Sequence, residues 1–262
     1  MKVSIVITYY NRKKQFYKTL NSIAKSEFKD FEVIAVDDGS LPEERIEDFL
    51  NEFLFLKIIR IEPKNKWYIN TCIPYNIGIR ATRGEIIILQ NAECLHVHDV
   101  ITFLSENVND SNYITISAYG LDEETTNNLS KYIDDNALIE YMKTLPQKIT
   151  GAGGSVTGWF NHSKYRPAYY HFCAGITKRN LDLLGGFDER YAFGTAYEDD
   201  EFVQRIKRLG LRMMIIDDIS VIHQWHVGFQ YLYPNANENI ARNKALFYNV
   251  TLKESRYKIN WK

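Results

Sequence analysis

The chain has 262 residues, which is enough for one large domain with a substantial buried core. Its 32 Lys and Arg residues almost balance its 33 Asp and Glu residues, and the net charge of −1 does not indicate a nucleic-acid partner. Three cysteines without a CxxC pair exclude a disulfide scaffold and a cysteine-ligated zinc site, and they fit a reducing compartment.

Strand and helix patterns alternate through the first half of the chain. Continuous apolar runs predict strands buried on both faces at residues 3–8, 31–36, 56–61 and 85–89. Apolar residues at helical spacing predict helices between them: one that begins after an Asn11 N-cap, one at residues 46–53 and one at residues 73–81. This alternation predicts a Rossmann-like, three-layer α/β/α sandwich with a mostly parallel central sheet.

The second half shows similar but weaker patterns. Strands are predicted at residues 112–118 and 211–216, and a final helix at residues 238–249. Two further helices are predicted to end at Gly185-Gly186 and at Gly210. Residues 121–135 are polar and acidic and are interpreted as a solvated insertion. Residues 150–170 combine glycines with aromatic rings, which fits either a mobile ligand loop or a surface loop with rings packed inward.

Three polar clusters follow predicted strands, at residues 8–11, 37–38 and 90–93. In parallel sheets, ligands bind beyond the carboxyl ends of the strands. We therefore expect these clusters to form the edges of a binding site, although this architecture hosts many activities.

Acidic and histidine side chains are the candidates for chemistry. Four acids, at residues 198–201, begin a predicted helix, where they either complement the helix dipole or include a general base. His223 and His226 are spaced as metal ligands or are structural. Glu93 ends a buried strand, so its charge needs a partner, which a metal cation, Arg12, Lys13 or water would supply.

Four sequence blocks together resemble the family 2 glycosyltransferases of the nucleotide-diphospho-sugar (GT-A) type. The blocks occur in the family's order within residues 1–95 and 173–226, and the last also resembles a motif of galactosyl- and N-acetylgalactosaminyltransferases. They read VSIVITYYNR, FEVIAVDDGS, NIGIRATRGEIIILQNAE and AGITKRNLDLLGGFDERYAFGTAYEDDEFVQRIKRLG.

The resemblance implies a nucleotide site at the carboxyl ends of the first strands. The residues that match the family's nucleotide-binding positions are Thr8, Tyr10, Arg12, Asp37, Asp38, Asn76, Arg83 and Asn91. The acidic pair Asp37-Asp38 matches the position that contacts the base, often uracil, and the ribose.

The resemblance also implies a metal ion and a base. Glu93 takes the place of the last acid in the family's DxD motif and would bind Mn²⁺ or Mg²⁺ together with His223, or with His226 as the alternative. Asp199 matches the catalytic base, and Glu198 and Asp200 would contact the acceptor. One departure is that Asn91 stands where the family has its first Asp, which removes one charge from the metal site.

The function implied is inverting transfer of a sugar from a nucleotide-diphospho-sugar, UDP-linked, to a hydroxyl of a glycan or lipid-linked glycan, as in polysaccharide biosynthesis. The loss of charge at Asn91 also supports a catalytically silent sugar-nucleotide- or glycan-binding homologue. A nucleotidyltransferase on a similar sheet is disfavoured because no Gly-rich loop follows the first strand.

The whole chain is expected to be a single domain. Residues 1–95 would bind the nucleotide, residues 96–230 would hold the acceptor and the catalytic residues, and residues 231–262 would form a helix and tail. No apolar run reaches the roughly 18 residues of a membrane-spanning helix, and a signal peptide is not indicated, so we expect a cytoplasmic protein.

The C-terminal tail is basic and aromatic. It is interpreted either as a solvated end or as a peripheral contact with the inner membrane face. Its basic and aromatic residues are Lys253, Arg256, Tyr257, Lys258, Trp261 and Lys262.

Overall fold

The computed structural model describes residues 1–129, 135–150, 157–228 and 235–259. The first half alternates as predicted, in the order β1 (Val3–Tyr9), α1 (Lys13–Ala24), β2 (Phe31–Asp37), β3 (Leu56–Arg60), α2 (Cys72–Arg80) and β4 (Ile86–Asn91). The second half consists of β5 (Cys94–His96), α3 (Val100–Asn107), β6 (Asn112–Gly120), α4 (Glu123–Asn127), α5 (Asp135–Thr144), β7 (Gly158–Asn161), β8 (Cys173–Thr177), α6 (Lys178–Leu184), α7 (Glu198–Leu209), β9 (Arg212–His223) and α8 (Ala236–Asn249).

All nine of these strands belong to one sheet, in the order β3-β2-β1-β4-β8-β6-β9-β5, with β7 paired to β6. The first four strands are parallel to one another, as the buried apolar runs predict. β8 enters the sheet antiparallel between β4 and β6, whereas β9 pairs parallel to β6 and antiparallel to β5. The predicted α/β sheet is confirmed, and its second half contains the antiparallel pairs.

Helices cover both faces of the sheet. Successive side chains of a strand point to opposite faces, so a strand that is apolar throughout has an apolar face on each side to bury. On one face, Ile5 belongs to the same hydrophobic core as Phe16 of α1 and Leu104 of α3. On the other face, Val6 packs in a second core with residues of α2, α6, α7 and α8. These two cores give the predicted three-layer sandwich.

One local prediction is wrong, and a second is confirmed only in part. Asn11 does not cap α1: its backbone is left-handed, with φ of 48°, and its side-chain oxygen accepts a hydrogen bond from the Leu41 N–H at 2.9 Å. Asn tolerates this conformation better than most residues, so it makes the turn instead. Residues 46–53 contain a short 3₁₀ helix, Glu47–Asn51, rather than an α-helix, although Ile46, Phe49 and Phe53 are buried as their spacing predicts.

The predicted insertion and ligand loop are only partly described. Leu121 and Leu129 are buried in a third core with Trp159, so their part of the insertion is packed rather than solvated. Within residues 150–170, β7 pairs with β6, and Trp159 packs inward. The rest of both predictions, at residues 130–134 and 151–156, lies outside the described residues.

Two helix ends follow the sequence signals. α6 ends at Gly185 and α7 at Gly210, both with left-handed backbones. The side chain of Arg205, in α7, is buried; it pairs with Glu201 at 2.6 Å and donates to the carbonyls of Leu184 and Gly186. These bonds fix α7 to the end of α6. Within the described ranges, no helix combines the length and apolar character that a membrane span requires.

Candidate active site

The carboxyl ends of the parallel strands meet at one edge of the sheet, as predicted. Thr8 of β1 is in register with Asn91 of β4, and Tyr9 is in register with Asp37 of β2. A cavity of about 320 Å³ opens at this edge. Its lining includes eight of the predicted site residues: Thr8, Arg12, Asn91, Glu93, Glu198, Asp199, His223 and His226.

One wall of the cavity is a candidate metal-binding cluster formed by Glu93, His223 and His226. The antiparallel pairing of β5 with β9 sets Cys94 opposite His223, which brings the neighbouring Glu93 to the histidine. One carboxylate oxygen of Glu93, Oε1, lies 3.0 Å from Nε2 of His223 and 3.4 Å from Nε2 of His226. Both histidines therefore reach the carboxylate, where the sequence had left a choice between them.

Arg12 approaches the same carboxylate from its other side. Its Nη1 lies 2.8 Å from Oε2 of Glu93, whose side chain is only 1% exposed. Burial opposes the ionisation of Glu93, but the charges of Arg12, His226 and His223 outweigh it and hold the pKa of the carboxyl well below its usual range. Glu93 is therefore an ionised, buried carboxylate.

The ligand atoms of this cluster suit a transition-metal dication. They lie within 4.8 Å of one another, and two ligands held at right angles about 2.1 Å from an octahedral ion lie about 3.0 Å apart. Nδ1 of His226 donates to the Val227 carbonyl at 2.9 Å, and Nε2 of the same ring is the atom that approaches Glu93. Two imidazole nitrogens and one carboxylate oxygen form a ligand set that a divalent metal ion can bind.

The acidic start of α7 also lines the cavity. Asp199 accepts a hydrogen bond from Nδ1 of His171 at 2.8 Å, and its side chain is 29% exposed to the cavity. Glu198 accepts one from Nδ2 of Asn70, also at 2.8 Å. Asp200 accepts one from the hydroxyl of Tyr170 at 2.7 Å and does not line the cavity. Of the three acids, Asp199 and Glu198 face the space where a substrate would lie.

Glu198 differs from its neighbours in its protonation. Burial, reinforced by the charge of Asp199, raises its pKa to about 7, against the hydrogen bond from Asn70, which lowers it. Near neutral pH, Glu198 is therefore partly protonated. In that form it donates a proton in a hydrogen bond, which an ionised carboxylate cannot do.

This raised pKa predicts a pH-dependent effect on stability. The folded state binds more protons than the unfolded state between the unfolded pKa of Glu, about 4.3, and about 7, so the free energy of unfolding falls as the pH rises through this range. Glu198→Gln removes that proton uptake. As the pH rises from 5 to 8, we expect the free energy of unfolding of the variant to increase relative to that of the original protein. Both free energies are measured by urea unfolding. A stability difference that stays constant across this range would contradict the raised pKa.

The acidic pair after β2 is engaged by cations of the chain. Asp37 is buried and pairs with Arg60. Asp38 accepts hydrogen bonds from Nζ of Lys66 and the hydroxyl of Tyr68, each at 2.6 Å, and Lys66 lies 4.8 Å from the centre of the Tyr10 ring. Asp38, Tyr10 and Lys66 thus form a group beside the cavity rather than within its lining.

Two predicted nucleotide contacts are placed elsewhere. The side chain of Asn76 is buried and fully bonded: it donates to Glu189 and to the carbonyl of Phe187, and it accepts from the Phe187 N–H. Arg83 lies just before β4, at the amino-terminal edge of the sheet, where its backbone N–H donates to Ser4 and Glu32. Neither residue lines the cavity, so the structure does not bring these two together with the other predicted site residues.

Sequence analysis also missed several cavity residues, chiefly His171, Asn70 and Tyr75. The hydroxyl of Tyr75 lies 3.2 Å from the side-chain oxygen of Asn91. His171 comes just before β8, which starts at the edge where β4 ends because the two strands are antiparallel. Knowledge that β8 runs antiparallel to β4 would have located His171 at this edge. The local sequence pattern did not reveal the direction of β8.

The central sheet, and the cavity at the carboxyl ends of its parallel strands, have the architecture called GT-A. The family model for glycosyl transferase family 2 matches residues 4–165, more than half of the sequence. The chain belongs to glycosyl transferase family 2.

Curated relatives carry related names. The chain is 24% identical over 270 residues to the uncharacterized glycosyltransferase YfnE of Bacillus subtilis, an alignment that covers 86% of this chain and 65% of YfnE. It is 30% identical over 97 residues to the poly(ribitol-phosphate) beta-N-acetylglucosaminyltransferase TarS of Staphylococcus aureus, covering 36% of this chain and 16% of TarS. The chain thus spans less than two thirds of either relative.

Solved structures share the fold. TarS 1–349 of S. aureus in complex with UDP-GlcNAc matches with a TM-score of 0.57 and 19% identity, over 89% of this chain and 62% of that one. The mannosyltransferase PcManGT of Pyrobaculum calidifontis, in complex with GDP-Man and Mn²⁺, matches with a TM-score of 0.58 and 14% identity, over 95% and 64%. These likenesses confirm the predicted GT-A architecture.

Proposed function

We propose that this chain is an inverting glycosyltransferase that moves a sugar from a UDP-linked donor to a hydroxyl of a glycan or lipid-linked glycan. One observation carries the proposal: a single cavity is lined both by the Glu93–His223–His226 cluster and by Asp199. A reaction that separates a diphosphate from a sugar needs a cation at the leaving group and a base at the acceptor.

The donor would lie along the carboxyl ends of the strands. The nucleoside would lie against Tyr10, Asp37 and Asp38, and Thr8 and Asn91 would line the path to the diphosphate. Glu93, His223 and His226 would hold Mn²⁺, which as a Lewis acid supplies charge stabilisation at the departing diphosphate. Arg12, already beside Glu93, places a second positive charge on the same side of the cavity.

Asp199 would act as the general base. Its carboxylate would accept the proton of the acceptor hydroxyl as that oxygen attacks the anomeric carbon from the side opposite the diphosphate. A single displacement of this kind inverts the configuration at that carbon. Glu198, in the fraction that is protonated near neutral pH, would donate a hydrogen bond to acceptor or donor, and Asp200 would support the acceptor side through Tyr170.

Two structural relatives support a nucleotide-sugar donor. UDP-GlcNAc is bound in the TarS complex, and GDP-Man with Mn²⁺ is bound in the PcManGT complex. UDP is the expected nucleotide here because the acidic pair matches the family's uracil-binding position.

A thermal-shift panel tests the donor site. UDP, GDP, CDP and TDP are each added with Mn²⁺ or with a chelator. A ligand at 100 times its Kd adds about 2.7 kcal/mol to the folded state, which is a readable shift. We expect a Mn²⁺-dependent shift with UDP, followed by UDP release from UDP-sugars. A flat panel would contradict the proposal.

A second candidate function is a catalytically silent sugar-nucleotide- or glycan-binding protein. It is favoured by Asn91, whose neutral side chain is engaged by Tyr75 where the family has a charged metal ligand. The two candidates are distinguished by turnover. Binding of UDP-sugars without cleavage or transfer would favour the silent protein, and UDP release would favour the enzyme.

The remaining proposals concern organisation and location. We propose that residues 1–262 act as one domain, with residues 1–95 binding the nucleotide, 96–230 supplying the acceptor side and 231–262 forming the final helix and tail.

We also propose a cytoplasmic location with a lipid-linked acceptor reached at the inner membrane face. Flotation with anionic vesicles would test the role of the basic tail, of which Trp261 and Lys262 lie outside the described residues.

His171 is expected to act as a positioning residue for Asp199. His171→Ala removes the hydrogen bond to Asp199, and we expect kcat for transfer to fall about 10–100-fold with little change in the donor KM, because a misplaced base is costly. His171→Asn places an amide N–H near the position of Nδ1 and should recover much of the loss. Equal losses in both variants would assign His171 to packing alone.

A further inference from the structure

A second groove, here called the aromatic groove, lies outside the proposed donor cavity. It has a volume of about 410 Å³, and its lining residues are Trp67, Asp188, Glu189, Arg190, Phe193, Arg256 and Ile259. Trp67 is 56% exposed and Phe193 is 51% exposed, which is unusual for two neighbouring large rings in a protein surface.

Each of the two rings packs against the other and against one further neighbour. Their centroids lie 5.5 Å apart at an angle of 54°. Trp67 packs edge-on against Tyr68, and the guanidinium of Arg242 lies 5.4 Å from the centre of the Phe193 ring. Rigid aromatic side chains of this kind bind ligands with a small loss of conformational entropy.

The aromatic groove adjoins the proposed active site. The N–H groups of Ile69 and Asn70 both donate to the carbonyl of Ala192, at 2.9 and 3.2 Å, and so join the segments that carry Trp67 and Phe193. Asn70 and Thr195 line the donor cavity, and Asn70 also bonds Glu198. Phe193 is two residues from Thr195, which an extended chain spans in about 7 Å.

The rim of the aromatic groove is polar and charged. Arg190 pairs with Asp188 at 2.6 Å and with Glu254 at 2.9 Å, and Arg256 pairs with Glu254 at 2.9 Å. An apolar peptide or a lipid chain would remove water from these ion pairs without replacing its hydrogen bonds, at a substantial cost. The carboxylates would repel the phosphates of a nucleic acid.

A sugar ring suits both the exposed aromatic rings and the charged rim of the aromatic groove. One face of a pyranose carries C–H groups, which pack on an aromatic ring, and its edge carries hydroxyls, which donate to carboxylates and accept from guanidinium groups. We propose that the aromatic groove is a glycan subsite in which Trp67 and Phe193 stack on a sugar of the acceptor chain, away from the hydroxyl that reacts at Asp199. This inference rests on the proposed function.

The test separates sugar binding from donor chemistry. Chitobiose, cellobiose, lactose and maltose are used as probes, and their binding to the full chain is measured by saturation-transfer NMR and by titration. Trp67→Ala and Phe193→Ala are compared with Leu54→Ala, which removes another exposed apolar side chain that lines neither cavity. UDP binding and UDP release from UDP-GlcNAc without acceptor are measured on every variant.

We expect at least one probe to bind, Trp67→Ala and Phe193→Ala to weaken it by about tenfold, and Leu54→Ala to leave it unchanged. UDP binding and acceptor-free UDP release should stay within about twofold of the original protein. If no probe binds, or if the ring variants bind the probes normally, the glycan subsite is wrong. If the ring variants weaken UDP binding instead, the rings contact the nucleotide and the proposal is also overturned.

Failure of the proposed function gives a different pattern. An original protein that neither binds UDP nor releases it from UDP-GlcNAc, but whose sugar binding is lost in Trp67→Ala, would refute the transferase and keep the glycan subsite. Normal release of UDP from UDP-GlcNAc, together with sugar binding that the ring variants leave unchanged, would keep the transferase and refute the glycan subsite.

Discussion

Asp199→Asn is expected to lower kcat for sugar transfer by about 10²–10⁴-fold, the usual contribution of a general base. Asparagine keeps the size of the side chain but cannot accept the acceptor proton. The measurement is product formation and UDP release at saturating donor, compared with UDP affinity by calorimetry. UDP affinity should change little, because Asp199 is not among the residues proposed to hold the nucleotide or the metal ion.

Asp182→Asn is a suitable control for this variant. Asp182 lies in α6, is half exposed and forms a local ion pair with Lys178. We expect normal transfer from it. Normal transfer from Asp199→Asn would remove Asp199 from the mechanism and would direct attention to Glu198 or His171 as the base.

Glu93→Gln is expected to abolish the metal dependence of donor binding. The substitution removes the single carboxylate of the Glu93–His223–His226 cluster and leaves Arg12 without its partner. Losing a supporting residue of a metal site costs about 10–100-fold in metal affinity, and losing a charged ligand should cost at least as much. The measurement is a Mn²⁺ titration in the presence of UDP, repeated with UDP and a chelator.

Glu32→Gln provides the matched control, because Glu32 is another carboxylate that is 1% exposed. It pairs with Lys57 and accepts a hydrogen bond from Ser4, at the opposite end of the sheet. We expect this variant to lose stability but to keep its response to Mn²⁺. A Mn²⁺ response that persists in Glu93→Gln would exclude Glu93 as a ligand and would make Arg12 the main cation at the diphosphate.

Much of the donor side could be predicted from the sequence. Buried apolar runs define β1, β2 and β4, and parallel strands necessarily bring their carboxyl ends to one edge. The polar residues that follow these strands, such as Thr8, Asp37 and Asn91, therefore had to lie near one another. Glu93 was expected to need a positive partner because a buried carboxylate without one is costly, and Arg12 supplies it.

The motif alone was a poor guide to which side chains face the cavity. Asn76 and Arg83 match motif positions but lie away from the cavity, among other partners. A helix or turn residue can satisfy its hydrogen bonds locally or toward a ligand, and the sequence does not distinguish the two. The side chain of Asn76 joins α2 to the turn at Phe187 through two hydrogen bonds. Arg83 comes before the amino end of β4, whereas the cavity lies at the carboxyl end of that strand.

Local sequence patterns were enough to predict the α/β class and the edge of the sheet that carries the cavity. They also singled out the acids and histidines to which we assign its chemistry. These predictions follow from local periodicity and from the geometry of parallel strands. The folded chain was needed to show that both His223 and His226 reach Glu93, that His171 bonds Asp199, and that Trp67 and Phe193 share one groove. Each of these contacts joins segments far apart in the chain, through strand pairings and loop contacts whose partners and direction no local pattern specifies.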